Sequence, residues 1–300
     1  MTTLLLIKIA VSIATVIGLS VIAERVSPRI AGLLSGYPLG TAIALFFIGY
    51  EISPEFAAEG AVYTLAGFAS TLMLTSGYLL GVNKRSSKSS LKGTPLIKST
   101  SLKGTTGINT EAQESGSWLA VTTASISGIM LFLLSGFAIN QLKLNLITAA
   151  LLPAAAILLC LWFYRHIPES QVTKRVGMSL SVLLFRAVTA ALIVVLITGV
   201  AHLVPSSTAG ILAAFPISMF PFLILMHRTY GPSKALTIIK HYPTGLGSLM
   251  VYATSIAWFY PNLGLLWGTL LSFALATIYL AIAPPYMDRL RHVLSSDKSR

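Results

Sequence analysis

Continuous apolar stretches dominate the chain, each ending in a polar connection, and none shows the residue-by-residue alternation of a strand. Nine of them cover residues 3–23, 31–50, 60–82, 118–139, 145–163, 179–203, 209–227, 235–259 and 263–283. Runs of about 20 apolar residues are long enough to cross a hydrocarbon core of about 30 Å as helices. Inside lipid the backbone must satisfy its own hydrogen bonds, which leaves helices or closed barrels, and unbroken apolar runs select helices. The pattern predicts an all-α polytopic membrane protein with about nine transmembrane helices. One connection is long. Residues 83–117 are rich in Ser, Thr, Gly and Lys and contain Ser-Leu-Lys-Gly-Thr twice, at Ser90–Thr94 and Ser101–Thr105. Such a composition buries too little apolar surface to offset its ordering entropy, so a disordered loop is expected there.

Composition agrees with the pattern. Of the 300 residues 55% are apolar and 10% charged, against about 25% charged in soluble domains. The net charge of +12 does not require a nucleic-acid partner, because the cations lie in connections. With the amino terminus outside, the loops holding Arg25 and Arg29, Lys84 to Lys103, Arg165 to Arg175, and Arg228 and Lys234 face the cytoplasm, as does the tail from Arg289. Seventeen loop and tail cations then stand inside against Lys143 alone outside. That bias places the chain in a cell (inner or plasma) membrane with its amino terminus outside and its carboxyl terminus cytoplasmic. No basic stretch precedes the first span and Lys8 interrupts it, so it is expected to be retained rather than cleaved as a signal. The single cysteine, Cys160, lies in an apolar run, which rules out an internal disulfide and makes it a buried structural thiol.

The chain also repeats itself. Ala31, Gly32, Leu34 and Pro38 in AGLLSGYPLG meet Ala209, Gly210, Leu212 and Pro216 in AGILAAFPIS at an offset of 178 positions. The same offset carries Pro54, Ala57, Gly67 and Ser70 onto Pro232, Ala235, Gly245 and Ser248, and Lys8 onto Arg186. A common offset through prolines, glycines and a rare intramembrane cation points to duplication. Residues 1–140 form a first four-helix repeat containing the 83–117 loop, and 141–178 a linker helix with a cytoplasmic loop. Residues 179–285 form the second repeat and 286–300 a cytoplasmic tail. With one helix between them, the repeats are inverted about an axis in the membrane plane, an arrangement found in secondary transporters and also in channels.

The stretches LLIKIAVSIATVIG (Leu5–Gly18), AGLLSGYP and TAGILAAFPISMF, followed by YGPSKALTIIKHYP, resemble the GlpM family of small bacterial inner-membrane proteins. The likeness lies in a lysine early in the first helix, an apolar stretch ending in an aromatic residue and proline, and a Gly-x-x-x-Ala-Leu helix start. It covers each half separately, with the fifth span extra and the two copies fused in opposite orientation. It implies a four-helix module and bears on fold more than on activity.

Ionisable residues inside spans cost about 2.5–3.5 kcal/mol on insertion scales and mark functional sites by default. Lys8 and Arg186 are the leading candidates for holding an anion, one from each half, with snorkelling to the headgroups as the alternative. Lys240, His241 and Tyr242 precede Pro243, whose missing N–H frees a carbonyl one turn back, as a binding site in a discontinuous helix needs. Gly36, Pro38, Pro216, Pro221 and Pro243 are expected as helix breaks or gates, or as plain packing kinks. The offset places Glu24 on His202, both at span ends, and the pair is a candidate for proton coupling. All nine carboxylates fall in loops, tails or span ends, with Glu51, Glu55 and Glu59 on an external loop. Buried cations without buried anions point to a small anionic or headgroup-bearing substrate. No HExxH, GxSxG or paired aspartates occur, so no enzyme, metal or cofactor is expected. The expectation is a secondary transporter or permease in the lipid bilayer, with a non-catalytic partner or assembly factor of a larger complex as the alternative. A reporter active only in the cytoplasm should work when fused after Arg300 and fail when fused before Met1; the reverse result would invert the topology.

Overall fold

The computed structural model describes residues 2–25, 37–90, 117–165, 167 and 180–296. These fold into nine helices, with no strand among the described residues. The helices are α1 (Thr2–Arg25), α2 (Leu39–Glu51), α3 (Pro54–Ser90), α4 (Trp118–Asn140), α5 (Leu146–Tyr164), α6 (Leu180–Ala201), α7 (Ser206–Ala213), α8 (Met219–Tyr230) and α9 (Pro232–Ser296). Five stretches are long and apolar enough to cross a bilayer: Pro54–Val82, Trp118–Asn140, Leu146–Tyr164, Leu183–Ala201 and Pro232–Ile282. Thr3–Gly18 and Leu39–Glu51 are apolar but shorter. The chain therefore has the make-up of a membrane-embedded helical protein.

The last of these stretches is two helices in one. Gly264 has φ +73°, a left-handed conformation that suits glycine. Contacts nest about it: Tyr260 Oη bonds Thr269 Oγ1 at 2.9 Å, Tyr252 packs on Phe273, and Ser248 Oγ reaches the Ala276 carbonyl at 3.4 Å. Such nesting makes α9 an antiparallel hairpin with its tip at Gly264.

Helix ends follow local chemistry. Pro54 and Pro232 each open a helix, where a missing N–H costs nothing because first-turn donors have no intrahelical partner. Ser53 Oγ accepts from the Phe56 N–H at 3.1 Å and caps α3. Asn145 and Thr148 form a reciprocal capping box that starts α5. Gly231, at φ 84°, ends α8.

Several expected boundaries change. The expected span 209–227 is α7 and α8, separated by a break around Pro216. Pro221 is not a second break; it is the third residue of α8, still within the first turn, where proline is tolerated. Pro38 stands immediately before α2, while Gly36 lies outside the described residues. Helix α3 continues to Ser90, into the expected loop, and α9 continues to Ser296, into the expected tail.

Helix α3 is the hub, 72% buried over its span and packed against α2, α4, α5, α7 and α9. Its Gly77 and Gly81 meet Ala124, Ser127 and Gly128 of α4 so closely that a Cβ at Gly81 would lie 2.6 Å from Ala124 Cα. Small residues four apart on both helices let the backbones approach, and Ser127 Oγ donates to the Gly77 carbonyl at 2.6 Å. Toward α7, Thr64 Oγ1 lies 2.8 Å from the Gly210 carbonyl oxygen and Thr71 Oγ1 2.7 Å from that of Ala214. The second contact matters most, because Pro216 ends the helix and the Ala214 carbonyl must find a donor outside it. Thr71→Val should therefore cost about 1–3 kcal/mol by leaving that carbonyl buried and unmet, while Thr71→Ser should be close to wild type. Reversible unfolding in mixed micelles measures the difference.

Candidate functional site

The two proline segments meet. Tyr37, Pro38, Gly40 and Thr41 line a cavity of about 20 Å³ together with Phe215, Pro216 and Met219, and Tyr242 and Leu249 complete its wall. That volume admits about one water molecule. Contact across the junction is close: a Cβ on Gly40 would come 2.8 Å from Ile217 Cβ. Tyr37 and Phe215 occupy equivalent places at the 178-residue offset and anchor different helices. Tyr37 stacks on Phe273 and bonds Thr277 at 2.9 Å, while Phe215 packs edge-on against Phe132 and Phe220.

Tyr242 reaches this junction without a break in its own helix. Pro243 is buried, and α9 stays helical through it, departing from helical geometry only at Gly264. The expected discontinuity at Pro243 is thus absent: losing one N–H bond is a smaller cost than ending a helix in lipid, which would expose several backbone groups. The trio before it disperses. Lys240 Nζ donates to the Ile167 carbonyl at 2.9 Å, in the connection after α5, and His241 is half-buried on another face from Tyr242.

A second polar site joins α1, α2 and α6. Lys8 Nζ stands 2.5 Å from Glu51 Oε1 and 2.7 Å from Oε2, and 2.8 Å from Thr198 Oγ1. His202 Nε2 lies 3.0 Å from Glu51 Oε2. The Lys8 and Glu51 side chains are 7% and 9% exposed, while the His202 ring is 46% exposed. The Phe47 ring lies 5.8 Å from the ammonium. The expected loop position of Glu51 is corrected: it is the last residue of α2, with its side chain largely withdrawn from the surface. Lys8 is not an uncompensated cation either, so the argument for an anionic ligand loses its support at this residue. Unpaired charge is costly in a low-dielectric interior, and a carboxylate 43 residues away in sequence meets it there.

The remaining candidates lie apart. Arg186 places its guanidinium 4.7 Å from the Phe222 ring of α8, a cation–π arrangement. His202 pairs with Glu51, and the side chain of Glu24 lies outside the described residues. Among the described residues no group of three His, Cys, Asp or Glu side chains forms a metal cage.

Sequence reasoning passed over other polar pairs. Tyr78 Oη bonds the buried His227 Nδ1 at 2.8 Å, and Tyr164 Oη bonds Thr75 and Ser76 at 3.0 and 2.8 Å. The signal available was the hydroxyl run Thr64, Thr71 and Thr75 inside an apolar span, which marks a helix face turned toward other backbone. No family model, curated protein or solved structure matches this chain.

Because Lys8 is left buried without a counter-charge when the carboxylate is lost, Glu51→Gln should cost about 3–5 kcal/mol. Lys8→Met should cost less, since Glu51 keeps the half-exposed His202. The double variant should lie below the sum of the two by about 0.5–3 kcal/mol, measured by unfolding in micelles as a double-mutant cycle.

Proposed function

We propose that the chain is a membrane transporter of secondary type, built from two inverted four-helix halves with its pathway at their interface. The meeting of the two proline segments carries this reading: equivalent stretches of both halves abut at a small cavity under a buried tyrosine. Helix bounds support the duplication. At the 178-residue offset, α1 corresponds to α6, α2 to α8, and Pro54 to Pro232 at the starts of α3 and α9. The equivalent helices α1 and α6 pack antiparallel, since Lys8 near the start of one touches Thr198 near the end of the other. Inversion about an axis in the membrane plane demands that relation, and it gives two states of similar energy open to opposite sides.

Charge supports a small anionic or headgroup-bearing substrate. Glu51, Glu55 and Glu59 gather at the end where α2 meets α3, with Glu59 bonded to Ser206. Arg165, Arg228, Lys234 and Lys240 gather at the other end, and Arg186 stands between them and the break, beside Phe222 one turn into α8. An anion approaching the junction from the cationic end meets favourable potential along the way. That end faces the cytoplasm in the orientation the loop cations favour.

Purified protein in liposomes tests the reading, with uptake of labelled phosphate, small carboxylates and glycerol phosphate measured in turn. Saturable flux of one of them is expected, and Gly40→Leu should abolish it by driving a side chain into Ile217. Absence of flux for every anion, together with a stoichiometric partner protein retained through purification, would favour the assembly-factor reading instead.

A further inference from the structure

We propose that Glu51, held between Lys8 and His202, is a proton-binding site whose occupancy releases α1 and α2 from α6. Its place in a transport cycle rests on the reading above; the site itself does not.

Glu51 is the one carboxylate among the described side chains that is withdrawn into the helix bundle; Glu55 and Glu59 are exposed on the first turns of α3. The groups facing it are Lys8 from α1, and Thr198 and His202 from α6, while α7 contributes the uncharged Ser206, which bonds Glu59. His202 stands between the carboxylate and the protein surface: its ring is half-exposed and its Nε2 is 3.0 Å from Oε2. A proton from water binds Nδ1 while the Nε2 proton passes to Oε2, leaving a neutral histidine in its other tautomer and a neutral carboxyl group. One proton is taken up, and the cluster gains one positive charge.

That charge falls on Lys8. Once Glu51 is neutral, the ammonium keeps the Thr198 hydroxyl, the uncharged Oε1 and the Phe47 ring face but no anion, and a buried cation with no anion is strongly unfavourable. It gains most by reaching water, which requires α1 to part from α6 at this end. Ser12 lies one turn along the same face of α1, 1% exposed, its hydroxyl without a hydrogen-bond partner. It is therefore a reporter for the separation.

The test uses the full chain in liposomes with Cys160→Ser and Ser12→Cys, labelled by a membrane-impermeant thiol reagent. Rates are normalised to a cysteine at an exposed position. Acidification should raise the rate about tenfold, a shift of about 1.4 kcal/mol in the opening equilibrium. Glu51→Gln should label fast at every pH, and Glu55→Gln should keep the wild-type response. If Glu51→Gln does not fold, His202→Gln carries the test, because its half-exposed ring is replaceable; it should lose most of the response. A wild-type rate independent of pH, or a full response in His202→Gln and Glu51→Gln, overturns the proposal. Responsive labelling without flux of any anion would sink the transporter reading alone, and flux with pH-independent labelling would sink the proton site alone.

Discussion

A helix that breaks at membrane depth leaves backbone groups with neither water nor a helical partner, and the rest of this fold is arranged around meeting that demand. Thr71 gives its hydroxyl proton to the Ala214 carbonyl at the break, and Thr64 lies within bonding distance of the Gly210 carbonyl one turn earlier. Both come from α3, so that helix must be central, straight and close to α7. Closeness in turn needs small residues: Gly60 packs on Gly210, and Gly67 on Ala214 and Ile211. A larger side chain at any of these positions would push the hydroxyls out of reach.

The same demand links the hub to the far side of the bundle. With α3 held against α7 on one face, its Gly77 and Gly81 hold α4 on another. Tyr78 and Tyr164 then carry buried hydrogen bonds to α8 and from α5, respectively. A hydroxyl facing lipid gains little, whereas one facing another buried polar group both satisfies it and fixes register. The apolar clusters on either side of α3 are continuous within themselves, one around α4, α5 and the first arm of α9, the other around α1, α2, α6 and α7. The proline junction lies where the two approach, with Phe215 packed against both.

The Lys8 site obeys the electrostatic form of the same rule. A lysine in an apolar helix needs an anion, and the anion available is at the end of α2, a 13-residue helix that starts directly after Pro38. Offset matching related Lys8 to Arg186 and Glu24 to His202, and in doing so missed Glu51, whose offset position is the uncharged Thr229. Positions 178 residues apart therefore differ where charge is concerned, while the helix bounds at that offset agree. Prolines and glycines set those bounds through local backbone rules, whereas charge partners are chosen by whatever stands nearby.

The sequence by itself determined the class and much of the layout. Apolar runs declared helices in lipid, the 178-residue offset matched helix starts at Pro54 and Pro232, and the second proline stretch marked the break at Pro216. These features are written in short windows, where length, hydropathy and proline geometry act without help from the rest of the chain. Tertiary structure alone decided that Pro243 passes inside a helix while Pro216 ends one, since neighbouring donors exist for the second and an intact ladder suffices for the first. It alone decided that the two proline segments touch, and that Lys8 rests on Glu51 and Thr198. Those outcomes depend on which residues far apart in sequence share a dry interior, and only the folded chain sets that distance.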